Sequence, residues 1–240
     1  MEHVSLDSLD TPGTRPGKPA QIAEYRLMEA ILSGACPAGQ PLPAERILAD
    51  NLGVTRPTLR EALQRLSREG WVTIRHGKST LVNDYLTQGG LGVLGSIARH
   101  TRAVSHEMVC HLLEVRAALF PGIAGLAVNR APDVLAAYLE KAQDLSDAPG
   151  AVAAYDWGLQ MLMVHVTGNP VFRMIINDFS PLYRILGETY FGYGKALAHS
   201  RAYYRELLQA LPNGRAGVEN LVHRTLEATI DLWKQGREQE

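Results

Sequence analysis

The 240-residue sequence predicts a mainly α protein in two parts: an N-terminal winged helix-turn-helix with a small β-hairpin wing, then a C-terminal all-α helical bundle. Helical hydrophobic spacing, stopped in turn by Gly34, Gly53 and Gly70, marks a series of short helices. Directly after Gly70 the period changes to a β-type alternation. From about Leu91 onward every periodic segment is helical again.

Residues 1–18 are polar and carry the helix breakers Pro12, Gly13, Pro16 and Gly17, which predicts a disordered arm. Residues 19–33 hold Ile22, Leu27, Ile31 and Leu32 at near-helical spacing, a first helix stopped by Gly34 and Pro37. Pro43 is expected to open a second helix, with Ile47, Leu48 and Leu52 facing inward and Gly53 ending it. Thr55 is a good N-cap for a third, which admits Pro57 in its first turn and runs to about Glu69. Residues 71–75 and 79–82 read as the strands of a hairpin turned at His76-Gly77-Lys78. The first domain is thus expected over 19–84. Asn83 to Gly90 has linker character, which puts the joint at 85–95 and the helical domain at 96–240. One long helix is expected near 106–129, with Met108, Leu112, Val115 and Leu119 on one face; Pro132, Pro149, Pro170 and Pro212 punctuate the rest.

Composition excludes several classes. A net charge of -1 offers no global basic excess, so a nucleic-acid signal must be local, and a non-specific architectural DNA binder is disfavoured. Cys36 and Cys110 form no CxxC, which argues against a disulfide framework or zinc knuckle and for a reducing, cytoplasmic setting. No apolar signal region is visible, and no stretch is expected to reach the roughly 20 apolar residues of a membrane span. The nearest, 117–128, is broken by Pro121 and Gly122 and reads as a buried helix. No GxSxG, Walker A or HExxH is present, so no enzyme is expected.

The local signal lies in the third helix. Leu59, Ala62, Leu63 and Leu66 share an inward stripe, leaving Arg56, Arg60 and Gln64 on the other side. Arginine pairs bidentately with guanine and glutamine can read adenine. From Arg56 to Lys78 six basic residues face two acidic ones, an excess that attracts phosphate. The glycine-tipped hairpin suits close approach to a groove. A helical hairpin with a merely solvated basic face is the alternative. In the C-terminal part, Val218, Leu221, Val222, Leu226, Thr229, Ile230 and Trp233 lie on one face of the last helix, Tyr183 and Tyr190 are two turns apart, and Arg116 interrupts an apolar helix. That combination fits a pocket for an amphipathic anionic ligand, or ordinary core packing with a rim arginine.

The segment LPAERILADNLGVTRPTLREALQRLSREGWVTIRHGKST resembles the winged helix of the GntR family, specifically its FadR type. The resemblance implies major-groove and phosphate roles for Arg46, Arg56 and Arg60, backbone-positioning contacts from Thr55 and Thr58, and minor-groove contacts from His76, Gly77 and Lys78. Pro57 departs from the pattern and has no N–H to offer phosphate. AAYDWGLQMLMVHVTGNPVFRMIINDFSPLYRILGETYF and LGVLGSIARH are similar to the FadR C-terminal domain. The implied effector is a long-chain acyl-CoA, with no further cofactor, in a pocket that includes Arg116, Tyr183, Tyr190, Thr229 and Trp233. Leu226 stands where the family type has glycine, which would narrow or redirect that pocket. Related GntR regulators hold a metal with an Asp and several His. Here Asp156 keeps the first position, Gln160 replaces a histidine, and Tyr203 and Tyr204 stand in the next histidine region, with His165 and His223 remaining, so no metal site is expected. The resemblance implies a homodimer on palindromic double-stranded operator DNA, repressing fatty-acid degradation genes, with activation of biosynthesis genes as a second role, and released by acyl-CoA. A GntR regulator answering to a different small acid is the alternative within the family.

Overall fold

The computed structural model describes residues 18–75, 77–99 and 105–236. The chain divides into two compact units, Met1–Ala103 and Val104–Glu240. The expected arm, apart from Lys18, lies outside the described residues, as does His76.

The first unit contains α1 (Pro19–Leu32), α2 (Glu45–Leu52), α3 (Arg56–Glu69), β1 (Val72–Thr73), β2 (Leu81–Val82), α4 (Tyr85–Gln88) and α5 (Leu91–Arg99). Gly53 (φ 67°) and Gly70 (φ 100°) end α2 and α3 in the left-handed conformation that a Cβ disfavours. Thr55 caps α3 by accepting from the Thr58 N–H at 3.3 Å. α1 packs across α3, and Leu27, Met28, Leu48, Leu59, Leu66 and Trp71 are fully buried.

Three expectations are corrected here. α2 starts at Glu45, not at Pro43, because the Leu42 N–H donates to the Thr80 carbonyl at 2.8 Å and holds that stretch extended beside the hairpin. Ile47 is 39% exposed; Leu48, Ala49 and Leu52 face the core. The hairpin ladder is also shorter than expected, two residues a side, with Val72 opposite Val82. Its turn is closed by the Arg75 guanidinium, which donates to the Ser79 carbonyl from Nε at 3.1 Å and Nη2 at 3.0 Å. β2 is nevertheless paired on both edges, since Pro41 bridges Leu81 and Val82 donates to the Gln40 carbonyl at 2.9 Å.

The expected linker at 85–95 is helical and belongs to the first unit. Asp84 caps α4, accepting from the Leu86 N–H at 3.2 Å. α5 buries Val93 and Ile97, and its Ser96 hydroxyl, 1% exposed, accepts from the Trp71 indole N–H at 2.7 Å. A side chain of α5 thus satisfies the largest buried side chain of the winged unit.

The second unit contains α6 (His106–Arg130), α7 (Pro132–Leu139), a 3-10 turn (Glu140–Asp144), α8 (Pro149–Val166), α9 (Pro170–Gly192), α10 (Gly194–Ala210), a second 3-10 turn (Leu211–Asn213) and α11 (Gly214–Gly236). α6 and α11 lie along one another, as do α8 and α9. The first pair approaches closely at Gly125, where a Cβ would collide with the Glu219 carboxylate. Contrary to the expectation that no stretch is apolar enough, α6 has the length and composition to cross a membrane. Its apolar residues instead form the core: Ala117, Phe120, Ile123, Ala124, Ala127 and Val128 cluster with Leu159, Met163, Tyr204, Leu207, Leu221 and Val222. α6 runs unbroken through Pro121. Leu112, Val115 and Leu119, expected on one face, border a cavity together, and Val115 is 47% exposed.

Candidate functional site

The first unit presents cations around the N-terminus of α3. Arg56, in its first turn, is exposed and forms no ion pair among the described residues. Arg60 Nε lies 2.7 Å from Glu45 Oε2, and Arg46 lies 3.6 Å from Asp50; both pairs are at the surface and therefore weak enough to exchange for phosphate. Arg65 is different. It contacts Glu24 of α1 at 3.5 Å and Glu61 at 2.6 Å, a tie between α1 and α3 that removes one charge from the basic stripe read in the sequence. Thr55 and Thr58 join hydroxyls at 2.8 Å, so both serve the helix cap. Gln64 is exposed between the arginines. At the wing, Gly77 has φ 69° and Lys78 is exposed. The pinning of the turn by Arg75 was not foreseen; its one sequence signal is a long donor at the end of a strand.

The second unit encloses a cavity among α6, α8, α9, α10 and α11, with about 1040 Å³ of empty space, part of it open to solvent. Arg116, Tyr183, Tyr190, Leu226, Thr229 and Trp233, the residues singled out in the sequence, all line it. Its walls are otherwise largely apolar, with Leu112, Leu113, Phe120, Phe179, Leu182 and Leu186 among them. Leu226 is buried and belongs both to this wall and to the main core, so it fills space that a smaller residue would leave to the cavity.

At the polar end sits a charge pair. Arg116 Nη2 lies 3.5 Å from Asp156 Oδ2. The same oxygen accepts from Gln160 Nε2 at 2.6 Å and from the Tyr183 hydroxyl. Oδ1 accepts from the Tyr204 hydroxyl at 2.8 Å. Asp156 and Gln160 meet because they are one turn apart on α8. The guanidinium also lies 5.6 Å from the Tyr183 ring centre and 5.8 Å from that of Phe120, within cation–π range. Burial alone would favour loss of the arginine proton; Tyr183 and Asp156 more than offset this and hold its pKa above the ordinary value. Burial, then the Asp156 charge, pushes the Tyr183 and Tyr204 phenols upward. Burial likewise pushes Tyr190 up to about 12, although Thr229 and Ser200 stand close enough to favour its ionised form. These phenols are therefore neutral donors at physiological pH.

Among the described residues, Arg116 Nε and Trp233 Nε1 are buried polar atoms of the cavity wall without a hydrogen-bond partner, and the Tyr190 hydroxyl has only its approach to Thr229 and Ser200. Trp233 lies between Tyr190 (ring centres 6.5 Å apart) and His106 (5.9 Å), nearly parallel to both. Thr229 turns its hydroxyl back to the Thr225 carbonyl at 2.9 Å, keeping its oxygen free to accept.

Sequence reasoning read Asp156, Gln160, Tyr203 and Tyr204 only as positions of an altered metal site. Here Asp156, Gln160 and Tyr204 belong to the arginine-centred network, and Tyr203 lines the cavity with Ser200, which was overlooked. The donors around Asp156 are a guanidinium, an amide N–H and two phenols, none of them a ligand set for a divalent cation. Among the described residues no group of three or more His, Cys, Asp or Glu side chains is placed to hold a metal ion. His165 Nδ1 instead meets the Arg173 guanidinium.

Comparison with known proteins gives both halves a relationship. Residues 19–82 match the bacterial regulatory proteins of the gntR family, and residues 83–239 match the FadR C-terminal domain. The chain is 38% identical over 191 residues to the fatty acid metabolism regulator protein of Shewanella halifaxensis, covering 80% of each chain. It is 35% identical over 216 residues to that of Klebsiella pneumoniae, covering 90% of each. A solved structure of Lar, described as controlling the Listeria monocytogenes agr system, superposes with a TM-score of 0.57 at 16% identity, covering 95% of this chain and 100% of that one, a likeness of fold.

Proposed function

The chain belongs to the GntR family of bacterial regulators that carry a FadR C-terminal domain, and from this premise we propose that it is a DNA-binding transcriptional regulator of fatty acid metabolism whose grip on operator DNA is released by long-chain acyl-CoA. The observation that carries the reading is the pairing of two features in one chain: an exposed Arg56 at the start of α3 with no ion pair among the described residues, and a largely apolar cavity in the helical unit. Arg56, Arg60 and Arg46 supply groove and phosphate contacts from one face, and Gly77 and Lys78, with His76, supply the wing. Thr55 and Thr58 hold the first turn of α3 in place for them.

The active species is a cytoplasmic homodimer on a palindromic site, because two copies of one reading helix need half-sites about one helical turn apart. The acyl chain enters the cavity beside Leu226, Tyr190 and Trp233. Ligand and DNA then favour different conformations, and their affinities are reciprocally linked. The chain carries out no chemistry on the ligand. Bound to DNA it represses degradation genes, and it activates biosynthesis genes at suitably placed sites. Fluorescence anisotropy with a palindromic operator duplex tests this: the purified protein binds, and oleoyl-CoA releases it. Absence of binding, or binding indifferent to oleoyl-CoA, sinks the proposal. Native mass spectrometry reports the dimer and any acyl-CoA carried from the cell.

A further inference from the structure

We propose that His106, the first residue of α6, is a positioning residue that passes the occupancy of the cavity toward the winged unit, through its ring contact with Trp233. The inference rests on the acyl-CoA reading above and assigns a residue to its ligand response. The apolar residues of the helical unit form two clusters. The larger takes in α6 from Ala117 onward. The smaller gathers Val109 and Cys110, near the start of α6, with Tyr190, Phe191 and Trp233. Val109, Tyr190, Phe191 and Trp233 also line the cavity. The small cluster is thus a wall of the ligand space and, at the same time, the seat on which α6 begins.

His106 joins that seat from outside the cavity. Its ring centre lies 5.9 Å from that of Trp233, with the planes 15° apart, and it is not one of the described residues that line the cavity. Trp233 is in turn 6.5 Å from Tyr190, so a series of ring contacts runs from the cavity wall to the first residue of α6. Elsewhere the two helices have little room to yield. α6 and α11 approach closely at Gly125, where a Cβ would collide with the Glu219 side chain, and a Cβ on Gly236 near the end of α11 would collide with the Tyr193 ring. A close-packed interior transmits a displacement. An acyl chain that moves Trp233 therefore moves the ring stacked on it. In the sequence, α5 of the winged unit ends at Arg99 and α6 starts at His106, so the first turn of α6 is the part of the helical unit nearest along the chain to the DNA-reading module. A ligand shifts an equilibrium only through interactions that differ between the two states, and the Trp233–His106 contact is such an interaction.

The test measures, by fluorescence anisotropy on the full chain, the ratio of the operator dissociation constants at saturating and at zero oleoyl-CoA. His106→Ala should lower that ratio about fivefold or more, while oleoyl-CoA affinity without DNA, by calorimetry, and operator affinity without oleoyl-CoA each stay within about threefold of the parent. His106→Phe keeps a ring against Trp233 and should keep the ratio within about twofold. Glu107→Ala removes an exposed charge from the same first turn and leaves the ring contact in place, so it should keep the ratio as well. A His106→Ala protein released as fully as the parent overturns the assignment and leaves the acyl-CoA reading standing. An equal loss in His106→Phe or Glu107→Ala also overturns it, since the helix start and not the ring contact is then at work. A ratio that falls only in step with oleoyl-CoA affinity makes His106 part of the cavity wall and overturns it too. If oleoyl-CoA leaves the parent protein on the operator, the reading and this inference fail together.

Discussion

Replacing Asp156 with alanine should destabilise the helical unit far more than loss of one surface charge would. The Asp156 carboxylate is 7% exposed, and its partner Arg116 retains only 21% side-chain exposure. Removing one member of a buried pair leaves the other charged and unpaired, which costs about 3–5 kcal/mol. Tyr204, 1% exposed, and Gln160 also lose their acceptor. Because these terms overlap, we take about 4 kcal/mol in total. At about 2–4 °C per kcal/mol for a protein of this size, the melting temperature falls by roughly 8–16 °C. Differential scanning calorimetry of the full chain measures it. The second arm is Arg116→Met combined with Asp156→Ala: if an orphaned charge is the main cost, the double variant recovers about 2 kcal/mol or more of the loss. An Asp156→Ala protein melting within about 3 °C of the parent, or a double variant no better than the single one, would refute the reasoning.

Three further outcomes follow from the same geometry. Arg56→Ala should weaken operator binding by about 1–3 kcal/mol and, if the contact is to phosphate, lower the salt slope by about one, with an unchanged melt because the side chain is exposed; equal affinity at several salt concentrations counts against it. Tyr190 ionises near 10 when unfolded and near 12 when folded, so the folded state holds its proton longer. Stability should therefore fall as pH rises from about 10 to about 12, and Tyr190→Phe should reduce that slope by up to about 1.4 kcal/mol per pH unit in urea titrations. Ser96→Ala strands the Trp71 indole N–H and should cost about 1–3 kcal/mol, read as faster hydrogen exchange in α3 and α5 with α6 and α11 unaffected; undiminished protection of α5 contradicts its role as part of the first unit.

Much of the fold is legible because its punctuation is local. Thr55, Gly53 and Gly70 act through their own backbone or a residue three positions away, and the chain reads them directly. That α5 packs with the first unit escaped because Gly89 and Gly90 resemble a loop while its decisive contact, Ser96 with Trp71, spans 25 residues. The start of α2 escaped for the same reason, being set by Thr80. In the cavity, the aromatic residues and Arg116 stand out by residue type. The role of Asp156 does not, because a carboxylate on a helix is usually solvated, and only tertiary packing brings α6, α9 and α10 to its two oxygens. The loss of Arg65 from the basic stripe is likewise invisible, since Glu24 lies on another helix.

The guanidinium at the polar end of the cavity also bears on supply. A negative charge inside a helical sensor needs a counterion, and one drawn from solution makes the sensor hostage to whatever the cell imports, stores or sequesters. Arg116 is stitched into α6 and does not titrate at any physiological pH. The Asp156 carboxylate is therefore compensated from within the chain as soon as the helical unit is folded.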